Sequence, residues 1–226
     1  MKVLLLENIH SEAVCALESR GHEVEVLSSA LDEVELIEAL DGVELLGIRS
    51  RTYITERVLK AHPQLLAVGA FCIGTNQIDL PAAAAAGVAV FNAPYSNTRS
   101  VVELALGEII TLARRLGDRN TSMHAGIWDK SATGSHEVRG RTLGIVGYGN
   151  IGSQLSVLAE GLGMRVYFYD IVDRLALGNA TRVYSLQELF ERCETITLHV
   201  DGRSSNAHLI GEKEFSQMRP RTLFLN

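Results

Sequence analysis

Gly147, Gly149 and Gly152 stand in a Gly-x-Gly-x-x-Gly pattern between an apolar run, 143–146, and a helical pattern that begins near Ile151. An aspartate, Asp170, closes the next apolar run, 166–169. Strand, glycine turn, helix, strand and acid, in that order, are the parts a dinucleotide site needs. Gly147 makes the tight turn, Gly149 lets the backbone approach the pyrophosphate, and Gly152 lets helix and strand pack closely. The first-turn amides around Asn150 and Ile151 then face phosphate with the helix dipole behind them. Asp170 is placed to accept hydrogen bonds from the adenosine ribose hydroxyls, and its charge repels a 2′-phosphate, so the pattern favours NAD over NADP.

Other residues lie beyond the carboxyl ends of predicted strands, where ligands of doubly wound sheets bind. Arg49-Ser50-Arg51 follows a run ending at Ile48. Its two guanidiniums suit a phosphate or carboxylate, and they read equally as a solvated pair. Phe71-Cys72-Ile73-Gly74-Thr75-Asn76-Gln77 follows a run ending at Gly69, and its glycine permits a turn whose amides could face an anion. His199 ends the run 195–200; taken alone it reads as a satisfied core histidine before a catalyst. Asn97 opens a long helix, where a capping role is the simplest reading. Trp128 and Lys130 sit in a polar stretch, where an exposed tryptophan suits a subunit contact or simple local packing.

These residues need a scaffold, and the sequence supplies two βα series. The first predicts strands at 3–6, 23–27, 43–48, 65–69 and 88–91. Between them lie helices at 10–20, after Asp32, after Thr55 and at 82–86 after Asp79. Short connections between such elements predict a parallel, doubly wound sheet. A turn-rich stretch, Asn92–Asn97, then reads as a linker, dividing the chain into domains at 1–96 and 97–226. The second series opens with a long helix, 99–118, whose broad apolar face predicts burial. A polar segment, 123–139, follows. Strands are then expected at 143–146, 166–169, 182–184, 195–200 and 222–225, with helices at 151–162, 185–192 and 212–218.

Composition agrees with a cored soluble protein: 226 residues, 46% hydrophobic, net charge −6. No basic patch suggests nucleic acid, and no run suggests a signal peptide or a membrane span. Cys15, Cys72 and Cys193 lack metal-ligand spacing and predict reduced, mostly buried thiols in a cytoplasmic protein. No metal site is expected.

Arg49–Thr52, Phe71–Leu80, Phe91–Val101, Gly140–Gly152, Gly161–Met164 and Gly178–Thr181 resemble the D-isomer-specific 2-hydroxyacid dehydrogenase family, along essentially the whole chain. The resemblance implies an α/β protein of two doubly wound parallel-sheet domains. A flavodoxin-like substrate domain comes first, then a Rossmann NAD-binding domain, with the active site in the cleft between. It implies NAD as cofactor and 3-phosphoglycerate, or a similar anionic 2-hydroxy acid, as substrate. Arg49, Ser50 and Arg51 match substrate-holding positions; Ile73 and Gly74 match the loop whose amides bind the substrate carboxylate; Asn97 matches a hinge residue near the ligands. Asn150, Ile151, Asp170, His199 and Val200 match cofactor contacts. Trp128 matches a residue at a subunit contact, so a homo-oligomer is implied, and Lys130 one near the phosphate. Asp201 departs from the proline usual after the histidine–valine pair.

The family's catalytic arginine, glutamate and histidine would follow the run 223–226. The sequence stops there, so we expect a truncated chain, inactive by itself, with no residue assignable as the hydride-step acid or base. Its last strand would expose an apolar edge, and the chain is expected to associate. Two other readings are a non-catalytic NAD-binding protein and a dehydrogenase for another D-2-hydroxy acid.

Overall fold

The computed structural model describes residues 1–226, apart from the side chain of Ser204. The chain divides into two compact units, Met1–Ser96 and Asn97–Asn226.

The first unit alternates strand and helix without exception: β1 (Lys2–Leu5), α1 (Ser11–Glu18), β2 (Glu23–Val26), α2 (Glu33–Ala39), β3 (Leu45–Ile48), α3 (Glu56–Ala61), β4 (Ala67–Ala70), α4 (Leu80–Ala85) and β5 (Ala89–Asn92). Its five strands are parallel, in the order β2-β1-β3-β4-β5, the flavodoxin-like winding. Polar caps start the helices. Asp32 forms a capping box with Glu35, Thr55 accepts from the Val58 amide, and Asp79 accepts from the Ala82 amide. One face of the sheet buries Leu4, Leu6, Leu46, Ile48, Val68 and Ala70 under α2, α3 and α4. Burial of such side chains contributes roughly 1.5–3 kcal/mol each before entropy is charged against it.

The second unit begins with α5 (Thr98–Arg114) and α6 (Leu116–His124). There follow β6 (Thr142–Val146), α7 (Asn150–Gly161), β7 (Arg165–Tyr169), β8 (Thr181–Arg182), α8 (Leu186–Arg192), β9 (Thr195–Leu198), a 3₁₀ turn (Ser204–Asn206), α9 (Glu212–Gln217) and β10 (Leu223–Leu225). The strands are again all parallel, in the order β10-β9-β6-β7-β8. That order reverses at β6, as in the Rossmann winding. β6 is central and buried throughout; β10 lies at the sheet's edge.

Four expectations need correction. The helix predicted for 99–118 stops at Arg114, because Arg115 takes a left-handed conformation (φ 54°); a second helix then runs through 116–124, ending just inside the polar segment expected from 123. The broad apolar face is not buried throughout. Val102, Ala105, Ile109 and Ala113 are, but Leu104 and Leu112 are exposed, because only one stripe of the helix packs on α7 and β10. Asn97 makes no side-chain capping bond. Of the thiols only Cys193 is buried; Cys72 is half-buried, and Cys15 sits exposed on α1.

Candidate functional site

The loop after β6 is shaped by contacts that exclude side chains. Gly147 has φ 91°, and a Cβ there would lie 2.6 Å from the His199 carbonyl oxygen. A Cβ on Gly152 would lie 2.3 Å from the Gly147 carbonyl oxygen. Gly149 is different: nothing stands within 4 Å of its Cβ position. The turn is therefore closed behind by backbone at Gly147 and Gly152, and open in front at Gly149. Open space there, at the N-terminus of twelve-residue α7, is what an approaching pyrophosphate requires.

Tyr148 braces this turn from within. It is buried, stacks on Phe168 with ring centroids 3.8 Å apart, and shares a 2.6 Å hydrogen bond with the Ser156 hydroxyl on α7. The Leu177 amide donates to its hydroxyl at 3.2 Å. Its backbone N–H donates to Asp170 Oδ2 at 2.8 Å, while the Val172 amide donates to Asp170 Oδ1 at 2.8 Å. The carboxylate is thus fixed at the end of β7 against the glycine turn. Each of its oxygens keeps a lone pair for another donor, and Arg174 approaches Oδ2 at 3.7 Å.

Gly147, Gly149, Asn150, Asp170, His199 and Val200 line one cavity of about 330 Å³. Ile151 and Gly152 lie behind its wall on the first turn of α7. Arg174 and Arg203, which sequence reasoning missed, also line it. Nothing in their spacing marked them; both depend on how the segments after β7 and β9 fold back. Arg203 pairs with Asp201 and the Asn206 amide group bonds the same carboxylate, so the position that departs from proline holds its own loop together.

His199 follows β9. Its amide donates to the Val146 carbonyl at 2.8 Å, and its Nε2 shares a 2.9 Å bond with the Thr197 hydroxyl. Burial pushes its pKa down to about 4, so the ring is neutral at physiological pH. A neutral, hydrogen-bonded imidazole lines a cavity without acting as its acid.

In the first unit the residues of interest gather at the carboxyl ends of β3 and β4. Arg49, Ser50 and Arg51 are exposed on the loop after β3. That loop is wrapped around a carboxylate that sequence reasoning missed. Glu7, only 4% exposed, accepts from the amides of Arg49 (3.1 Å), Arg51 (3.1 Å) and Thr52 (3.0 Å). Burial alone would raise the Glu7 carboxyl, but the hydrogen bonds from residues 49–52 outweigh it and hold the group below the usual glutamate range. Glu7 and Asn8 both take positive φ, 61° and 55°, a costly conformation that turns this carboxylate under the loop. The available signal was an acid directly after the apolar run 3–6.

Ile73 and Gly74 sit on the loop after β4, and a second buried polar residue ties that loop to the first. Gln77 Nε2 donates to the Arg49 carbonyl at 2.7 Å and approaches the Gly74 carbonyl at 3.4 Å. Asn92 donates to the Ile73 carbonyl at 2.7 Å from the end of β5. Three adjacent strands thereby present Arg49, Arg51, Ile73 and Gly74 on one edge of the sheet. Asn97 belongs to the second unit and is exposed at the start of α5; Trp128 is 70% exposed, and Lys130 is exposed. Among the described residues no group of histidine, cysteine or carboxylate side chains could hold a metal ion, and no helix is long and apolar enough to cross a membrane.

A family model described as D-isomer specific 2-hydroxyacid dehydrogenase, catalytic domain, matches residues 3–214. The chain is 51% identical over 227 residues to D-3-phosphoglycerate dehydrogenase of Haemophilus influenzae, covering 100% of this chain and 55% of that protein. It is 48% identical over 227 residues to the Escherichia coli K12 protein of the same name, with the same coverage. The chain therefore spans about half the length of these curated relatives. Among solved structures it matches the NAD and lactic acid complex of D-lactate dehydrogenase from Aquifex aeolicus, with TM-score 0.85 and 25% identity, over 99% of this chain and 67% of that one. It matches apo D-lactate dehydrogenase from Escherichia coli with TM-score 0.82 and 25% identity, over 99% and 72%.

Proposed function

This chain belongs to the D-isomer-specific 2-hydroxyacid dehydrogenase family, and we propose that it carries the NAD site and part of the substrate site of a D-3-phosphoglycerate dehydrogenase. The carrying observation is the 330 Å³ cavity at the glycine turn. It joins an α7 N-terminus open at Gly149 to a carboxylate fixed by the Tyr148 and Val172 amides. Gly147, Gly149 and Gly152 shape the turn, and Asn150 and Ile151 offer amides to the pyrophosphate. Asp170 takes the ribose hydroxyls and selects NAD over NADP. His199 and Val200 close the far wall. NAD, when bound, supplies the hydride acceptor; these residues orient it and keep its site in shape.

Arg49, Ser50 and Arg51 hold the phosphate of 3-phosphoglycerate, and the amides of Ile73 and Gly74 hold the carboxylate. A charged phosphoryl group fits two guanidiniums better than an unphosphorylated lactate side does, and the relatives near 50% identity are named for the phosphorylated substrate. Asn97 contributes from the start of α5. We assign no acid or base of the hydride step among these residues; the His199 Nε2 shares a bond with the Thr197 hydroxyl. We read the protein as a cytoplasmic homo-oligomer, and the relatives named for 3-phosphoglycerate are about twice the length of this chain.

Two measurements test this. NADH should bind this chain, read by cofactor fluorescence, and Asp170→Ala should weaken binding by roughly 10-fold or more, as loss of charge-assisted hydrogen bonds predicts. An NAD-coupled assay with 3-phosphoglycerate should show no turnover on this chain and clear turnover on one extended to the relatives' length. Absence of NADH binding at millimolar cofactor overturns the first part. A preference of the extended protein for lactate or unphosphorylated glycerate overturns the second.

A further inference from the structure

The second unit holds a larger cavity than the one at the glycine turn, at the opposite end of its sheet. It measures about 590 Å³ and is lined by Arg115, Arg141, Arg219, Arg221, His136 and Glu194 among others. Arg141 directly precedes β6, Glu194 precedes β9, and the turn 219–222 precedes β10. All these strands are parallel, so this is the amino edge of the sheet, whereas the glycine turn leaves the carboxyl edge of β6. Five residues of β6 separate the two, roughly 15 Å at about 3.3 Å per residue.

In a chain of net charge −6, four arginines facing one glutamate in a single cavity is a local reversal of sign. Two of the four are already engaged. Arg115 pairs with Asp118, and Arg141 approaches Glu194 at 3.4 Å. Arg219 and Arg221 make no ion pair among the described residues. Arg141 also leaves its Nε buried with no hydrogen-bond partner, although its Nη1 meets Glu194. A buried guanidinium donor without an acceptor is destabilising and needs an explanation.

The backbone adds to this. Arg219-Pro220-Arg221-Thr222 closes on itself: the Thr222 amide donates to the Arg219 carbonyl at 3.1 Å, and the Thr222 hydroxyl at 2.8 Å. Proline at the second position and a positive φ (66°) at the third follow the type II turn, where glycine is the relaxed choice. Arginine occupies that position instead. Arg115, on the facing wall, is also left-handed, at 54°. Two of the four cavity arginines, Arg115 and Arg221, thus hold a conformation that a long side chain takes at a cost.

We propose that this cavity is a second anion site, taking a small phosphorylated molecule whose phosphoryl group seats on Arg219 and Arg221 and whose remainder fills the space beside Arg141 and His136. Guanidinium forks match phosphoryl oxygens bidentately, and the volume admits a ligand well beyond bare phosphate. The site is independent of the NAD reading, because it shares no residue with the glycine-turn cavity.

The test uses inorganic phosphate as probe, at constant ionic strength held with chloride. Phosphate should protect Arg219 and Arg221 of the unaltered chain from phenylglyoxal, read residue by residue by mass spectrometry. The double variant Arg219→Ala/Arg221→Ala should lose at least 10-fold in phosphate affinity by calorimetry, with NADH affinity within 2-fold of the parent. Arg219→Lys/Arg221→Lys should retain part of the phosphate affinity. Equal protection by chloride, or unchanged affinity in the alanine variant, overturns the proposal. If that variant fails to fold, the labelling of the unaltered chain decides alone.

Discussion

The loop after β6 and the loop after β3 occupy equivalent places, each beyond the carboxyl end of an inner strand of a parallel sheet, yet opposite materials build them. The first is held by backbone that leaves no room for a side chain: Gly147 against the His199 carbonyl, Gly152 against the Gly147 carbonyl. The second is held by buried side chains, Glu7 gathering three amides and Gln77 tying the loop to its neighbour. A glycine turn fixes one shape and leaves amides free for a ligand. A carboxylate-centred loop consumes its amides internally and offers guanidiniums instead. The loop after β6 therefore presents mainly backbone, and the loop after β3 presents side chains.

The largest effect is expected where the backbone has no slack. Gly147→Ala puts a Cβ 2.6 Å from a carbonyl oxygen at φ 91°, and strain plus overpacking should cost about 2–5 kcal/mol. Hydrogen exchange should rise across β6, β7 and β9 while the first unit keeps its protection. If exchange rises equally in both units, or in neither, the glycine turn is not the rigid element described.

Acid should separate the two units. Burial pushes His199 down to about 4 from an ordinary 6.5. In that window the unfolded chain binds more protons than the folded one, so the second unit should lose stability as pH falls from about 6.5 to about 4. The limit is on the order of 3 kcal/mol at 1.36 kcal/mol per pKa unit. Glu7 has the opposite character: its folded pKa is depressed, so its contribution is present above the ordinary carboxyl value of 4.5 and lost as pH falls through the folded value. The first unit should therefore hold at pH 5, where the second already weakens. Site-resolved exchange at pH 7, 5 and 4 checks the order, and His199→Gln should flatten the second unit's response above pH 4.

Glu7→Gln asks whether the first loop is held by shape or by charge. The replacement keeps one acceptor oxygen and turns an NH₂ group toward a backbone donor, here the Arg51 amide that Oε2 now serves. The expected loss is about 1–3 kcal/mol, with faster exchange at residues 49–52. Removing a negative charge near Arg51 should by Coulomb's law strengthen anion binding. Loosening the loop should weaken it. We expect weaker binding of 3-phosphoglycerate to the extended protein, and stronger binding would show that Glu7 acts through charge.

The same contrast governs what the sequence revealed. Gly147, Gly149, Gly152 and Asp170 were legible because the pattern that carries them is compact in sequence, with Gly152 answering the Gly147 carbonyl five residues back, although the contact that excludes a side chain at Gly147 comes from the remote His199 carbonyl. Parallel strands and capped helices were legible for the same reason, Asp32, Thr55 and Asp79 standing where their helices begin. Glu7 was not, because its partners lie 42 to 45 residues away, and a strand-end glutamate ordinarily faces water. The break at Arg115 was hidden too. Nothing in Arg114-Arg115-Leu116 stops a helix by propensity, and the bonds that the Arg115 side chain makes where the chain turns, to Asp118 and to the Thr133 carbonyl, include one remote in sequence. Asn97 looked like a cap by residue type, yet its side chain makes no such bond.

The smallest expected effect is the most pointed. Tyr148 sits between the two glycines that matter most, and both its backbone and its side chain are engaged. Tyr148→Phe keeps the stack on Phe168 and the amide that fixes Asp170, and removes only the hydroxyl shared with Ser156 and reached by the Leu177 amide. Ser156 retains the Ser153 carbonyl as acceptor at 2.8 Å, so one amide is left short of a partner. The stability loss should be about 1 kcal/mol, read by thermal unfolding, with NADH affinity unchanged within about 3-fold. If affinity instead falls more than 10-fold, side-chain bracing from Tyr148 is what positions Asp170, and the second unit's site depends on buried polar contacts as much as the first unit's does.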